Sequence, residues 1–419
     1  MTLSLGLFLI GMLGLSCLST SIFKPQNQAL AQQSVQTTKY RNLVIDLGNG
    51  LKTSAQLTYP AIGKGPFPGV LLISGSGGES VHSPTAPYTP IAEYLSERGF
   101  AVLQYNKRGI NENDTLDSNV WGNLTINDLK QDAEKALDVL IQQPEVDANR
   151  ITVLSHSEGT TIAPRIAIDN PGKVKNVVLM AAIAQNLRDV LYFQVVTRPV
   201  NYAQQILDHN HNGLISVQEA SKNPVFSTLV GNLTLLLTQN ITTANGTSKQ
   251  LSPQFDVNND TFVSINDELK PRLIDRLRSM SVMTPGEKCV VDGCPIWVKS
   301  HYALQPPISN IIGNISSNTS ILILQGENDS MAPIQQAFLL QQELTDVNHP
   351  DHTLITYPNL GHWFYPSSQW STSIGPIQQY VLADLYAWLE AHSGLSHPYV
   401  GTIPTSTLGA NTSSSSRGG

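Results

Sequence analysis

The sequence predicts an α/β fold, a doubly wound and mostly parallel sheet interrupted once by a mainly helical insertion. Short apolar runs such as Gly69–Ile73, Ile151–Leu154 and Ile321–Leu324 have the length and apolarity of strands buried on both faces. Segments with apolar residues at helical spacing alternate with them, which makes repeated βαβ units. From about residue 187 to 318 the alternation stops, the chain becomes rich in Asn and Thr, and the pattern then resumes.

Taken in order, Leu43–Ile45 and Ala55–Tyr59 read as a hairpin around Asn49-Gly50. Gly69–Ile73 is the first central strand, Ile91–Arg98 a helix, and Ala101–Tyr105 the next strand. Within Thr125–Gln143, Leu129, Ala133, Ala136, Leu137, Leu140 and Ile141 share one helical face. Ile151–Leu154 and Val174–Ala182 are further buried strands. After the insertion come a strand at Ile321–Leu324, a helix at Gln335–Leu344, a strand at Thr353–Tyr357 and a helix near Ile377–Leu389. This divides the chain into a core at 40–186 and 319–395, an insertion at 187–318, and a Ser/Gly-rich tail at 396–419 that reads as disordered.

Residues 1–31 read as a targeting segment: an apolar run over Leu3–Leu18, then Ala29-Leu30-Ala31 as a small-x-small cleavage pattern. The run is short of the about 20 apolar residues a spanning helix needs. No Lys or Arg precedes it, so an uncleaved anchor stays open beside a cleaved signal. Export to the medium or the cell-envelope exterior is expected, with no membrane span in the mature chain. The remaining cysteines, Cys289 and Cys294, then read as a small disulfide loop. The net charge of −7, spread without a basic block, argues against nucleic acid as a partner.

The chemistry-bearing segment is the apolar run Ile151–Leu154 leading into Ser155-His156-Ser157-Glu158-Gly159. A buried strand entering small-x-Ser-x-Gly and then a helix lifts a serine hydroxyl onto a helix N-terminus, in a turn so tight that its −2 and +2 neighbours must be small. A serine needs a base, and the base needs an orienting acid. Asp329 follows the strand Ile321–Leu324 and His362 follows Thr353–Tyr357, in the loops where open α/β sheets bind ligands. Glu327 is the alternative acid, and His352 a poor alternative base because it begins a strand. For the oxyanion, the backbone N–H groups of Glu158 and of Ser76, in Ser74-Gly75-Ser76-Gly77-Gly78, are the expected donors.

Ile-Ser-Gly-Ser-Gly, Tyr94-Leu-x-x-Arg98-Gly99 with Tyr105-Asn-Lys107-Arg108-Gly109, and His156-Ser-Glu-Gly with Ile162-Ala-Pro164 together resemble a group of bacterial esterases. That group belongs to the α/β-hydrolase superfamily and is related to dienelactone hydrolases and prolyl-oligopeptidase-type peptidases. The resemblance covers roughly 40–185 and 319–393. It implies ester hydrolysis through an acyl-enzyme, with Ser157, Asp329 and His362 carried over. Departures are Ser155 for Gly, Asn106 for the usual Asp and Thr160 for Gly. Arg108 reads as a structural ion-pair partner.

Within the insertion, Asp208–Glu219 matches a twelve-residue EF-hand loop: oxygen ligands at Asp208, Asn210, Asn212 and Ser216, the Leu214 carbonyl, Glu219 at the end, and Gly213 at the turn. A weaker second loop offers Asp256, Asn258, Asp260, the Phe262 carbonyl, Ser264 and Asp267, with Thr261 where Gly is wanted. Ile215 and Val263 are placed to pair in the short β-contact of coupled loops. Structural calcium (Ca2+) is the expected cofactor, none being needed for catalysis.

The expected function is a secreted serine hydrolase acting on small-molecule or acyl-ester substrates. A serine peptidase of the same fold, and a non-catalytic calcium-dependent binding protein, are the alternatives.

Overall fold

The computed structural model describes residues 37–395, apart from 79, 84–86, 223–226, 229–230, 233–235, 244–245, 283–294 and 372–373. The expected signal segment, the tail, Cys289 and Cys294 lie outside the described residues.

Eight strands form one sheet: β1 (Thr38–Gly48), β2 (Leu51–Pro60), β3 (Phe67–Ile73), β4 (Ala101–Tyr105), β5 (Val146–His156), β6 (Val174–Met180), β7 (Ser320–Gly326) and β8 (His352–Tyr357). Their order is β1-β2-β4-β3-β5-β6-β7-β8. Only β2 runs against the rest, pairing antiparallel with β1 and β4. The β1–β2 turn falls on Asn49 and Gly50, at φ 53° and 78°, the left-handed pair that matches strand twist.

The alternation of side chains along buried strands splits the core into two layers. Leu71, Ile73, Leu103, Val153, Leu179 and Ile323 face helices α2 (Ile126–Ile141), α3 (Ala163–Asp169) and α5 (Gln335–Asp346). Val70, Leu72, Val102, Leu154, Val178, Leu322 and Leu324 face α1 (Thr89–Ser96) and α6 (Gln379–His392). Each fully buried Leu, Ile or Val contributes about 1.5–3 kcal/mol relative to exposure. The first helix of the thicker layer starts where the sequence places a stop to the preceding loop: Thr125 and Asp128 form a reciprocal capping box at α2.

Between β6 and β7 the insertion builds its own apolar cluster, including Leu191, Val196, Leu207, Ile215, Leu237, Val263, Leu269 and Leu273. It contains a helical run over 187–207, a helix at Lys270–Val282, and α4 (Pro295–Ala303), which closes it. It is less helical than the sequence predicts, because Thr238–Thr243 and Gly246–Leu251 pair as an antiparallel hairpin. Asn, Thr, Ser and Lys line that hairpin, so no apolar alternation announces it. Past α4, Ile308, Ile312 and Ile315 pack into the main core, so the packing boundary falls near Ala303. Among the described residues, no helix is long and apolar enough to cross a membrane.

Candidate active site

β5 ends at His156, and Ser157 opens a 3-10 turn with φ 52°, a left-handed conformation that costs an ordinary residue about 1–3 kcal/mol. Its neighbours explain how the turn fits. A Cβ at Gly159 would lie 2.5 Å from the Ile73 carbonyl oxygen, so only glycine brings the turn this close to β3. Ser155 sits where glycine is usual, and its Oγ donates to the Val178 carbonyl at 3.0 Å, absorbed by the neighbouring strand. Thr160 Oγ1 donates to the Ser157 carbonyl at 2.6 Å and accepts from the Ile183 N–H at 2.9 Å, tying the turn to the segment after β6.

The other two loops meet beyond β7 and β8. A Cβ at Gly326 would come within 2.5 Å of the Leu360 carbonyl and 2.7 Å of the Gly361 carbonyl, so glycine is what lets the two loops touch. Asp329 is buried. Its Oδ1 accepts from the Met331 and Ala332 N–H groups, both at 2.8 Å, and its Oδ2 from Gln325 Nε2 at 3.0 Å. His362 Nδ1 donates to the same carboxylate at 2.9 Å, leaving Nε2 to accept from Ser157 Oγ at 2.9 Å. The structure thus brings Ser157, His362 and Asp329 into one hydrogen-bonded row. That row can relay a proton from serine to imidazole and stabilise the resulting cation.

A second buried row supports it. The Gly75 N–H donates to Tyr88 Oη at 2.7 Å, and Tyr88 Oη–H donates to His156 Nδ1 at 3.0 Å. His156 Nε2–H donates to the His362 carbonyl at 2.9 Å, and its ring stacks on Trp363 with centroids 4.6 Å apart. The carbonyl can only accept, which sets the tautomer. Burial first, then the His362 imidazole, push His156 down to about 3, so it stays neutral.

Glu158, next to the serine, is buried and ionised. Burial alone would raise its pKa, but Lys107 and His301 overcome that and hold the carboxyl well below its ordinary range. Lys107 Nζ donates to Glu158 Oε2; Trp297 Nε1 donates to Oε1 at 2.5 Å, and His301 Nε2 lies 3.0 Å from it. Trp297 and His301 belong to α4, so the insertion is anchored on the residue beside the serine.

The remaining expected residues fall as follows. Glu327 accepts from Thr356 Oγ1 at 2.9 Å and takes no part in the row with His362. His352 Nδ1 donates to the His349 carbonyl at 2.8 Å, at the start of β8. Arg108 makes a bidentate pair with Asp132, at 3.0 and 2.6 Å, and reaches Asp128 at 2.6 Å, a structural clamp on α2. Asn106 accepts from the Val81 N–H and donates to Asp114, both at 2.7 Å, which holds the loop after β3.

In the insertion, Leu214–Ser216 pairs antiparallel with Phe262–Ser264, and Ile215 stands opposite Val263. Asp208 accepts from the Asn212 and Gly213 N–H groups at 3.0 and 2.8 Å, and Asn212 from Leu214 at 2.8 Å; the Asn210 side chain accepts from the Asn212 N–H at 3.0 Å. Glu219 folds back, accepting from the Ser216 N–H at 2.9 Å and the His209 N–H at 3.2 Å. In the second loop Asp256 accepts from Asp260 and Thr261 at 3.1 and 3.2 Å, and Asp260 from Phe262 at 2.9 Å. The residue that folds back there is Glu268, accepting from the Ser264 and Val257 N–H groups, both at 2.8 Å. Asp267 is exposed, and its carboxylate accepts from Ser264 Oγ at 3.0 Å. The cause is a π-turn at Ile265–Leu269, which adds one residue before the carboxylate comes round.

Tyr88, Trp297 and His301 stand in no motif that assigns them to the site, and the segment Tyr105-Asn-Lys107-Arg108-Gly109 by itself gives Lys107 no role there. The one available signal was Lys107, an ammonium two residues past a buried strand.

Fold and site define an α/β hydrolase: a profile of the alpha/beta hydrolase fold matches residues 68–368, and the chain belongs to that family. Esterase EstD of Thermotoga maritima is 34% identical over 151 residues, 35% of this chain and 34% of that protein. The chain therefore spans about a third of the length of that curated relative. Among solved structures, Est1E from Butyrivibrio proteoclasticus is 13% identical, with a TM-score of 0.42 over 84% of this chain and 96% of its own. The α/β hydrolase GrgF from Penicillium sp. sh18 is 14% identical, with a TM-score of 0.46 over 85% and 99%. A Klebsiella pneumoniae protein described as a dienelactone hydrolase is 12% identical, with a TM-score of 0.44 over 85% and 99%.

Proposed function

We propose that this protein is an exported serine hydrolase that cleaves carboxylic esters through an acyl-enzyme, with Ser157, His362 and Asp329 as its triad. The observation that carries the reading is the 2.9 Å approach of Ser157 Oγ to His362 Nε2, with Asp329 on the far nitrogen. His362 takes the hydroxyl proton as Oγ bonds to the ester carbonyl carbon, and the carbonyl electron pair moves onto oxygen. The N–H groups of Ser76 and Glu158 receive that oxyanion. Collapse breaks the bond to the alcohol, which leaves with the proton from His362. Water then attacks the acyl-enzyme by the same relay and releases the acid.

The insertion acts in this reading as a cap, and calcium orders it. Asp208, Glu219, Asp256 and Glu268 are all buried, accept hydrogen bonds from backbone N–H groups and, among the described residues, are in no salt bridge, so a cation would add a counter-charge. Among the described residues, no three His, Cys, Asp or Glu side chains are positioned to hold a metal. Asn210, Asn212, Ser216 and the Leu214 carbonyl would complete the first loop's ligands, an all-oxygen set that suits calcium.

A panel of p-nitrophenyl acyl esters beside aminoacyl-anilides tests the reaction class. Esters should be hydrolysed, anilides poorly or not at all, and Ser157→Ala should lower kcat by about 10⁴-fold or more. Preferred turnover of anilides would make the protein a peptidase; turnover of neither, with calcium-dependent ligand binding, would make it a binding protein on this scaffold.

A further inference from the structure

We propose that Lys107 is a positioning residue for ester hydrolysis, a buried cation that orients both backbone donors of the oxyanion site. This rests on the serine-hydrolase reading above. Lys107 Nζ donates to the Gly75 carbonyl at 2.5 Å and to the Glu158 carboxylate. Its side chain is buried, so it holds this place without competition from water.

The first grip acts through the geometry of one peptide. The Gly75 C=O and the Ser76 N–H belong to the same planar unit, and in a trans peptide they point in opposite directions. Fixing the carbonyl on Lys107 therefore fixes the Ser76 N–H on the other side. The Gly75 N–H is held by Tyr88 Oη at 2.7 Å, so this residue is clamped at both ends and is itself spent as a donor. Among the described residues the Ser76 N–H has no partner, as a donor reserved for a ligand would be. This peptide borders the nucleophile: a Cβ at Gly75 would stand 3.1 Å from Ser157 Cβ. An ammonium on the carbonyl also draws charge from the peptide, which makes its N–H a stronger donor.

The second grip acts on the other donor. The Glu158 side chain is locked by Lys107 from the core and by Trp297 and His301 from α4. The backbone N–H of the same residue is thereby held in place directly after Ser157. One cation thus couples the loop after β3 to the turn after β5, and the insertion completes the clamp.

Lys107→Met alone strands a buried carboxylate and is expected to destabilise the fold, so Lys107→Met/Glu158→Gln, which removes both charges, is the informative variant. Its kcat on a p-nitrophenyl ester should fall about 10²-fold with KM changed less than about threefold, the range set by loss of one oxyanion donor. The inhibition constant of a trifluoromethyl ketone, whose serine adduct bears the oxyanion, should rise by the same factor as kcat/KM falls. A merely structural lysine would not make those two quantities move together. A double variant that melts cooperatively and keeps kcat within about threefold of wild type overturns the proposal, as does a rise in KM at constant kcat. A double variant that no longer melts cooperatively assigns Lys107 to folding and overturns it as well. Wild-type protein that hydrolyses no ester and binds no ketone sinks the hydrolase reading itself, a separate result.

Discussion

His156 shows how much of this site depends on a residue that does no chemistry. It sits between the serine and the strand that presents it, and receives the Tyr88 hydroxyl while donating to the carbonyl of His362. Those bonds join the loop after β3 to the loop that carries the proposed base. Because burial pushes its pKa from 6.5 down to about 3, the unfolded chain binds a proton in this window and the folded chain does not. Stability from this group is therefore complete above pH 6.5 and is lost as pH falls toward 3, at about 1.4 kcal/mol per pH unit. Glu158 acts in the same direction but only from the ordinary carboxylate value downward, since its folded pKa is depressed. His156→Gln should flatten the fall in urea midpoint between about pH 6 and pH 5, where Glu158 is still silent. An unchanged slope would mean that another group titrates there. The row of Ser157, Asp329 and His362 was legible in the sequence because each follows a buried strand in an expected loop. The roles of Tyr88, His156 and Lys107 were not, although His156 and Lys107 stand inside the quoted motifs, because those roles come from contacts across 68, 206 and 32 positions that no local pattern encodes.

At the level of elements, buried strands were the easiest to read: continuous apolar runs cannot be solvated, so their boundaries moved only at the ends, most outward, with Val174–Ala182 shortened to Val174–Met180. The hairpin at Thr238–Thr243 and Gly246–Leu251 escaped because polar residues occupy both its faces. The paired loops of the insertion were read correctly in their β-contact and differently at one residue. Asp267 fills position 12 by counting, whereas the π-turn brings Glu268 round to the place that Glu219 holds in the first loop. Thr261, at φ 73°, takes the left-handed conformation that Gly213 takes at φ 80°, and pays steric strain for it. If calcium binds both loops, millimolar calcium should raise the melting temperature over EDTA-treated protein, because sites with so few carboxylates bind at about 10⁻⁴–10⁻³ M. Glu219→Gln and Glu268→Gln should each reduce that rise, and Asp267→Asn should leave most of it. Equal losses from Asp267→Asn and Glu268→Gln would return the ligand to the counted position. No rise at about 10 mM calcium would remove the metal from the account.

Across the whole molecule, in the proposed reading, the interruption of the sheet between β6 and β7 decides where specificity can arise. The insertion has its own apolar cluster, and it meets the core through apolar contacts, such as Val190 on Ala332 and Tyr202 against Trp370, and polar ones: Gln194 Nε2 donates to the Met331 carbonyl at 2.7 Å, and Arg198 Nε to the Gln369 carbonyl at 3.1 Å. Met331 and Gln369 lie on the loops that follow Asp329 and His362, so the insertion touches all three loops of the site. One continuous α/β core interrupted once was readable from the alternation alone, while the contacts that bind the insertion to it were not, since they pair single side chains far apart in the chain. In the proposed reading, all of this organisation serves one alcohol group. Treating the protein with a fluorophosphonate probe and mapping the adduct by peptide mass spectrometry tests that most directly. A single phosphonylated peptide with the modification on Ser157, absent in His362→Ala, is the predicted result; no adduct, or an adduct on another serine, would contradict it.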